Sequence, residues 1–148
     1  RVGRLFEDDR KGYVHAINDK SGNIYFTDKG GKALYAVDKA GQLKWKFTIE
    51  AAPTYCFPVL DDKGTVYFGS GAGRIYAVDS SNGEELWHMD SEGTDNNAKI
   101  MSGMTIGENQ ILYVSYIGGN VAAIKIFAGP EKSTWSCRGG NIHGTNQY

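Results

Sequence analysis

A strand-and-turn unit that recurs three times constrains this chain more than any other feature. Residues 64–87 read GTVYFGSGAGRIYAVDSSNGEELW, and residues 22–45 read GNIYFTDKGGKALYAVDKAGQLKW. Tyr25 aligns with Tyr67, Tyr35 with Tyr76, Asp38 with Asp79 and Trp45 with Trp87, at offsets of 42, 41, 41 and 42 residues. A weaker third copy begins at Ile111 and reaches Trp135, with Tyr113 lying 46 residues after Tyr67. Short strands and glycine turns repeating every forty-odd residues are what a β-propeller blade requires. Helical repeats of that length need apolar residues at i, i+3 and i+4, and no copy has them.

The predicted fold is therefore all-β: about three four-stranded antiparallel blades forming part of a propeller. The expected blades cover residues ~13–48, ~55–89 and ~102–136 of one domain spanning 1–148, followed by a tail at 137–148. Gly3–Phe6 is a candidate outer strand of a preceding blade. The first blade is read as Tyr13–Asn18, Asn23–Thr27, Leu34–Asp38 and an outer strand in which Leu43, Trp45 and Phe47 share one face. The second is read as Tyr55–Asp61, Thr65–Ser70, Arg74–Asp79 and Glu85–Met89. The third is read as Ser102–Ile106, Gln110–Tyr116, Asn120–Ile126 and Ser133–Ser136. Turns that begin on Asp19, Asp38 and Asp61 and close on glycine suit type I geometry.

Closed propellers need roughly four to eight blades. Three blades leave two apolar faces to cover, so the expected partners include the remaining blades or further copies of the chain. The opening on Arg1 reads as a trimmed chain or fragment. A net charge of -1 offers no basic surface for nucleic acid or an anionic membrane, and no stretch is apolar enough for a membrane span. Cys56 and Cys137 fit no metal or redox spacing. Two separate thiols are the simpler reading, and a disulfide between first and last blades is the alternative.

The units resemble the quinoprotein-like (PQQ-like) repeat, which is WD40-like in period. Its form is Gly-x-hydrophobic-Tyr-hydrophobic, a glycine turn, hydrophobic-Tyr-Ala-hydrophobic-Asp, then Gly-x-x-x-Trp. Gly22, Tyr25, Tyr35, Asp38, Gly41 and Trp45 match it, as do Gly64, Tyr67, Tyr76, Asp79, Gly83 and Trp87. The third copy departs: Ala122 replaces the second Tyr, Lys125 takes the Asp place, and Gly129-Pro130 lies two residues farther from its Trp. The tail WSCRGGNIHGT at 135–145 resembles a segment near the ends of many bacterial members. The resemblance implies the C-terminal blades of a longer bacterial propeller, placed in the periplasm or secreted to the cell surface. It also implies that Trp45, Trp87 and Trp135 lock neighbouring blades.

Function is less legible. Asp38 and Asp79 suit turn stabilisation, and the three histidines, His15, His88 and His143, lack zinc spacing. His88 is expected to face solvent. The Gly69–Gly73 loop leads into a strand rather than a helix, which argues against phosphate binding. Asp90, Glu92, Asp95, Asn96 and Asn97 make a polar loop that suits solvent, a ligand surface or calcium. The leading expectation is a non-catalytic binding module. It displays Ile49–Tyr55 and Asp90–Lys99 to a protein or glycan partner, with Tyr55 as an aromatic platform. One alternative is a fragment of a PQQ-dependent dehydrogenase, the only case in which quinone and calcium are expected. The other is an outer-membrane assembly scaffold.

Overall fold

The computed structural model describes residues 15–28, 32–50, 56–91 and 99–130. Among these described residues, eleven strands fall into three antiparallel sheets. The first holds β1 (His15–Asn18), β2 (Ile24–Asp28), β3 (Ala33–Val37) and β4 (Leu43–Thr48), hydrogen-bonded in that order. The second holds β5 (Val59–Leu60), β6 (Thr65–Gly69), β7 (Arg74–Asp79) and β8 (Glu85–Asp90) in the same order. The third holds β9 (Ile100–Gly107), β10 (Ile111–Tyr116) and β11 (Val121–Lys125). Its expected fourth strand at Ser133–Ser136, the Gly3–Phe6 strand and the tail lie outside the described residues. This is a β-propeller segment, and each sheet is a blade.

Strands with two apolar faces suit this stacking. In β2, Tyr25 points toward the second blade and Phe26 points the other way. Between the first two blades, Ile17, Tyr25, Leu34, Ala36 and Ile49 meet Leu60, Val66, Phe68, Tyr76 and Val78, all buried. Between the second and third, Cys56, Val59, Tyr67, Ile75 and Ala77 meet Ile100, Met104, Ile106, Leu112 and Val114. Gly69 makes the second contact close, because a Cβ there would lie 2.8 Å from Ile100. Fully burying each large apolar side chain contributes roughly 1.5–3 kcal/mol.

Two strand readings change. Among the described residues the inner strand of the second blade is Val59–Leu60, shorter than the expected Tyr55–Asp61, whose first residue lies outside them. Pro58 has no N–H to give a ladder, and Asp61 turns its carboxylate onto the following turn. In the outer strand, Trp45 and Phe47 pack inward while Leu43 is 52% exposed. A β-bulge explains this: Ala36 pairs with Trp45 but Val37 pairs with Leu43, so one extra residue breaks the alternation. The second blade repeats the bulge between Ala77 and Val78.

Candidate functional site

The strand order sorts the connections onto two rims. One rim, here the turn rim, carries the β1–β2, β3–β4, β5–β6, β7–β8 and β9–β10 turns. The other, the loop rim, carries the remaining hairpins and the segments that pass from one blade to the next.

The turn rim is built from carboxylates. Asp61 Oδ1 accepts the Lys63 and Thr65 amides at 3.0 and 2.8 Å, and its Oδ2 accepts the Tyr67 hydroxyl at 2.8 Å. Asp19 does the same in the first blade, accepting the Ser21 and Asn23 amides at 2.9 Å and the Tyr25 hydroxyl at 2.8 Å. Burial works against the Asp19 charge, but the bonds from Asn23, Tyr25 and Ser21 outweigh it and hold its pKa below the usual value. Burial, then the neighbouring carboxylate, pushes Tyr25 and Tyr67 well above the ordinary tyrosine range. Asp38 accepts the Ala40 and Gln42 amides at 2.9 Å. The Ser81 hydroxyl and amide hold the Asp79 pKa down. The third blade has Gly107 at the position of Asp19 and Asp61, and there Asn109 Nδ2 donates to Tyr113 at 2.9 Å instead.

The repeat aromatics are packing residues. Trp45 Nε1 donates to the Ser80 carbonyl at 3.0 Å, which ties the first blade to the second. Its ring lies where a Cβ on Gly83 would be, 2.7 Å away. Trp87 packs against the core between the second and third blades, 5.7 Å from Tyr67. Tyr35 stacks on Phe26 at 5.3 Å and Tyr76 on Phe68 at 5.2 Å. Trp135 lies outside the described residues.

The loop rim holds the expected partner loops. Glu50 and Asp90 mark where two of them leave the blades, and Arg74, at the start of β7, reaches both. The guanidinium forks onto Asp90, with Nε donating to Oδ1 at 2.5 Å and a second N–H donating to Oδ2 at 3.1 Å. Its Nη1 lies 4.0 Å from Glu50 Oε2. The fork holds the Asp90 carboxyl below the usual carboxylate range. It also engages both Asp90 oxygens. Lys32 Nζ adds a bond to the Glu50 carbonyl at 3.1 Å. Residues 51–55, including Tyr55, and residues 92–98, including Glu92, Asp95, Asn96 and Asn97, lie outside the described residues.

Arg74 was not singled out from sequence, yet a signal was present. The first blade has Ala33 at that position and the third has Asn120, so only the middle blade carries a cation there. The Gly69–Gly73 stretch is a hairpin turn whose Ser70 Oγ accepts the Ala72 and Arg74 amides at 3.3 and 3.2 Å. His88 is exposed, 2.6 Å from Glu85 Oε1. Cys56 is a buried free thiol, and Cys137 and His143 lie outside the described residues. Burial pushes its pKa up to about 12, which leaves it inert. Among the described residues no His, Cys, Asp or Glu side chains cluster to hold a metal ion, and no helix is long and apolar enough to cross a membrane. The turn carboxylates accept hydrogen bonds from their own blades.

No curated protein matches the chain by sequence. Solved structures resemble it in fold. BamB from Moraxella catarrhalis is 18% identical, with a TM-score of 0.57 over 80% of this chain and 48% of that one. Virginiamycin B lyase from Staphylococcus aureus is 18% identical, with a TM-score of 0.63 over 82% of this chain and 43% of the lyase. The computationally designed Ika4 protein is 20% identical, with a TM-score of 0.62 over 80% of this chain and 69% of that one. The chain thus spans under half the length of the two natural propellers. A family model described as outer membrane protein assembly factor BamB matches residues 3–136. The chain belongs to this BamB-type, quinoprotein-like propeller family.

Proposed function

We propose that this chain is a non-catalytic part of a bacterial periplasmic scaffold for outer-membrane protein assembly, holding a protein partner through the loop rim. The observation that supports this reading best is the family match over residues 3–136. The mechanism is rigid display. Stacked blades fix the ends of the partner loops, so little ordering entropy remains to be lost on binding. Arg74 brings Glu50 and Asp90 together, so the two loop bases are held as one surface rather than two. No cofactor takes part.

The test is retention of an outer-membrane β-barrel protein from a detergent-solubilised bacterial envelope by the tagged chain. The barrel protein is expected to bind the unaltered chain and to be lost when residues 51–55 and 92–98 are replaced by Gly-Ser linkers. Retention unchanged by those replacements would sink the loop-rim reading. Adding pyrroloquinoline quinone and calcium is expected to give neither bound-cofactor absorbance nor dye reduction.

A further inference from the structure

One of the third blade's departures from the repeat belongs to a single surface feature. Lys125 stands where the other blades carry Asp38 and Asp79. Two residues on, Phe127 has φ 58° and is 68% exposed. A bulky residue rarely adopts this left-handed backbone, and it does so only where surrounding contacts enforce it.

Those contacts are present. The Asp62 amide donates to the Gly129 carbonyl at 2.9 Å, and the Gly129 amide returns a bond to Asp62 Oδ1 at 3.2 Å. Pro130 bridges Asp61, and Ala128 is buried. The segment is clamped on both sides of a residue that shows its ring to water. Lys63 Nζ donates to the Phe127 carbonyl at 2.7 Å. Lys125 Nζ lies 5.7 Å from the ring centroid and donates to the Asn109 carbonyl at 2.9 Å. Both carboxylates at the clamp accept hydrogen bonds, Asp61 from its own turn and Tyr67 and Asp62 from Gly129.

We propose that Phe127, with Lys63 and Lys125, is a second partner contact, fitted to an acidic, apolar segment of another protein. The ring supplies a rigid apolar anchor, the kind of residue that dominates interfaces. The two ammonium groups select carboxylates around it and disfavour basic segments. The feature lies on the turn rim, opposite the loops around Arg74, so it goes beyond the loop-rim reading and stands or falls separately.

The test uses the whole chain and a short fluorescent peptide alternating leucine and glutamate, with a leucine–lysine peptide as control. The acidic peptide is expected to bind about tenfold tighter than the control, and more weakly as salt rises. Phe127→Gly and the Lys63→Gln, Lys125→Gln pair are each expected to weaken it about fivefold or more. Phe127→Gly should melt no lower than the unaltered chain, because glycine accepts the backbone angle freely. Equal binding of both peptides would overturn the proposal, as would undiminished binding by Phe127→Gly. A lower melting temperature for Phe127→Gly would also overturn it, by showing the ring to be a packing residue. Gly-Ser replacement of the loop-rim segments is expected to leave this binding unchanged.

Discussion

At the residue scale, the same pairing is used twice with different stakes. Asp19 and Asp61 each bind two turn amides and a tyrosine hydroxyl, but Asp19 Oδ2 also receives Asn23 Nδ2 at 2.7 Å. Asp61 is 1% exposed and its Oδ2 accepts from Tyr67. Removing a donor from a buried carboxylate costs about 2–4 kcal/mol, and removing one from a shared, part-buried one costs about 1 kcal/mol. Tyr67→Phe should therefore destabilise the fold clearly more than Tyr25→Phe, as measured by urea unfolding. Gln110 gives a prediction of opposite sign. It holds φ 61° where the other blades place Gly22 and Gly64, at 83° and 87°. Gln110→Gly should stabilise by about 0.5–1 kcal/mol, the left-handed strain removed less the entropy that glycine adds to the unfolded chain. A lower urea midpoint would refute it.

At the element scale, blades are joined by a ring meeting a turn. Trp45 lies against Gly83, whose φ is +79°, and bonds Ser80 in the same turn. Gly83→Ala would place a methyl group inside the indole contact and strain the backbone as well. It should cost about 2–4 kcal/mol. Trp45 fluorescence should report a loosened first blade, and an unshifted unfolding midpoint would count against this picture. The repeat made Gly83 visible as a turn residue. Its role as the seat for another blade's tryptophan was not visible, because that contact spans 38 residues of chain and no local pattern records it. The bulge that expels Leu43 was hidden for a related reason: alternation in sequence cannot show where a strand gains an unpaired residue.

At the scale of the whole molecule, the titrating groups set a window of stability. Asp19, Asp79 and Asp90 have lowered pKa values in the fold, so their contribution is complete above the unfolded carboxylate value near 3.9 and is lost as the pH falls further. Tyr25 and Tyr67 are raised, so theirs is complete below the unfolded tyrosine value near 10 and is lost as the pH climbs past it. Buried Cys56, pushed up to about 12, adds a loss that begins at the unfolded thiol value near 8.5, so urea midpoints should be flat between about pH 5 and 8 and fall on both sides. Tyr67→Phe should flatten the alkaline side, and an unchanged alkaline limb would refute the assignment. The sequence by itself determined the blade: a period near 42 residues, alternating apolar strands and Asp–Gly turns are local matters of backbone preference and side-chain direction. Only the tertiary structure decided which residues meet. It joined Arg74 to Glu50 and Asp90 across two blades, and it clamped Phe127 against the turn at Asp61 and Asp62. Such pairings depend on how twisted sheets stack, a geometry set by the sum of all the blade contacts rather than by any one segment.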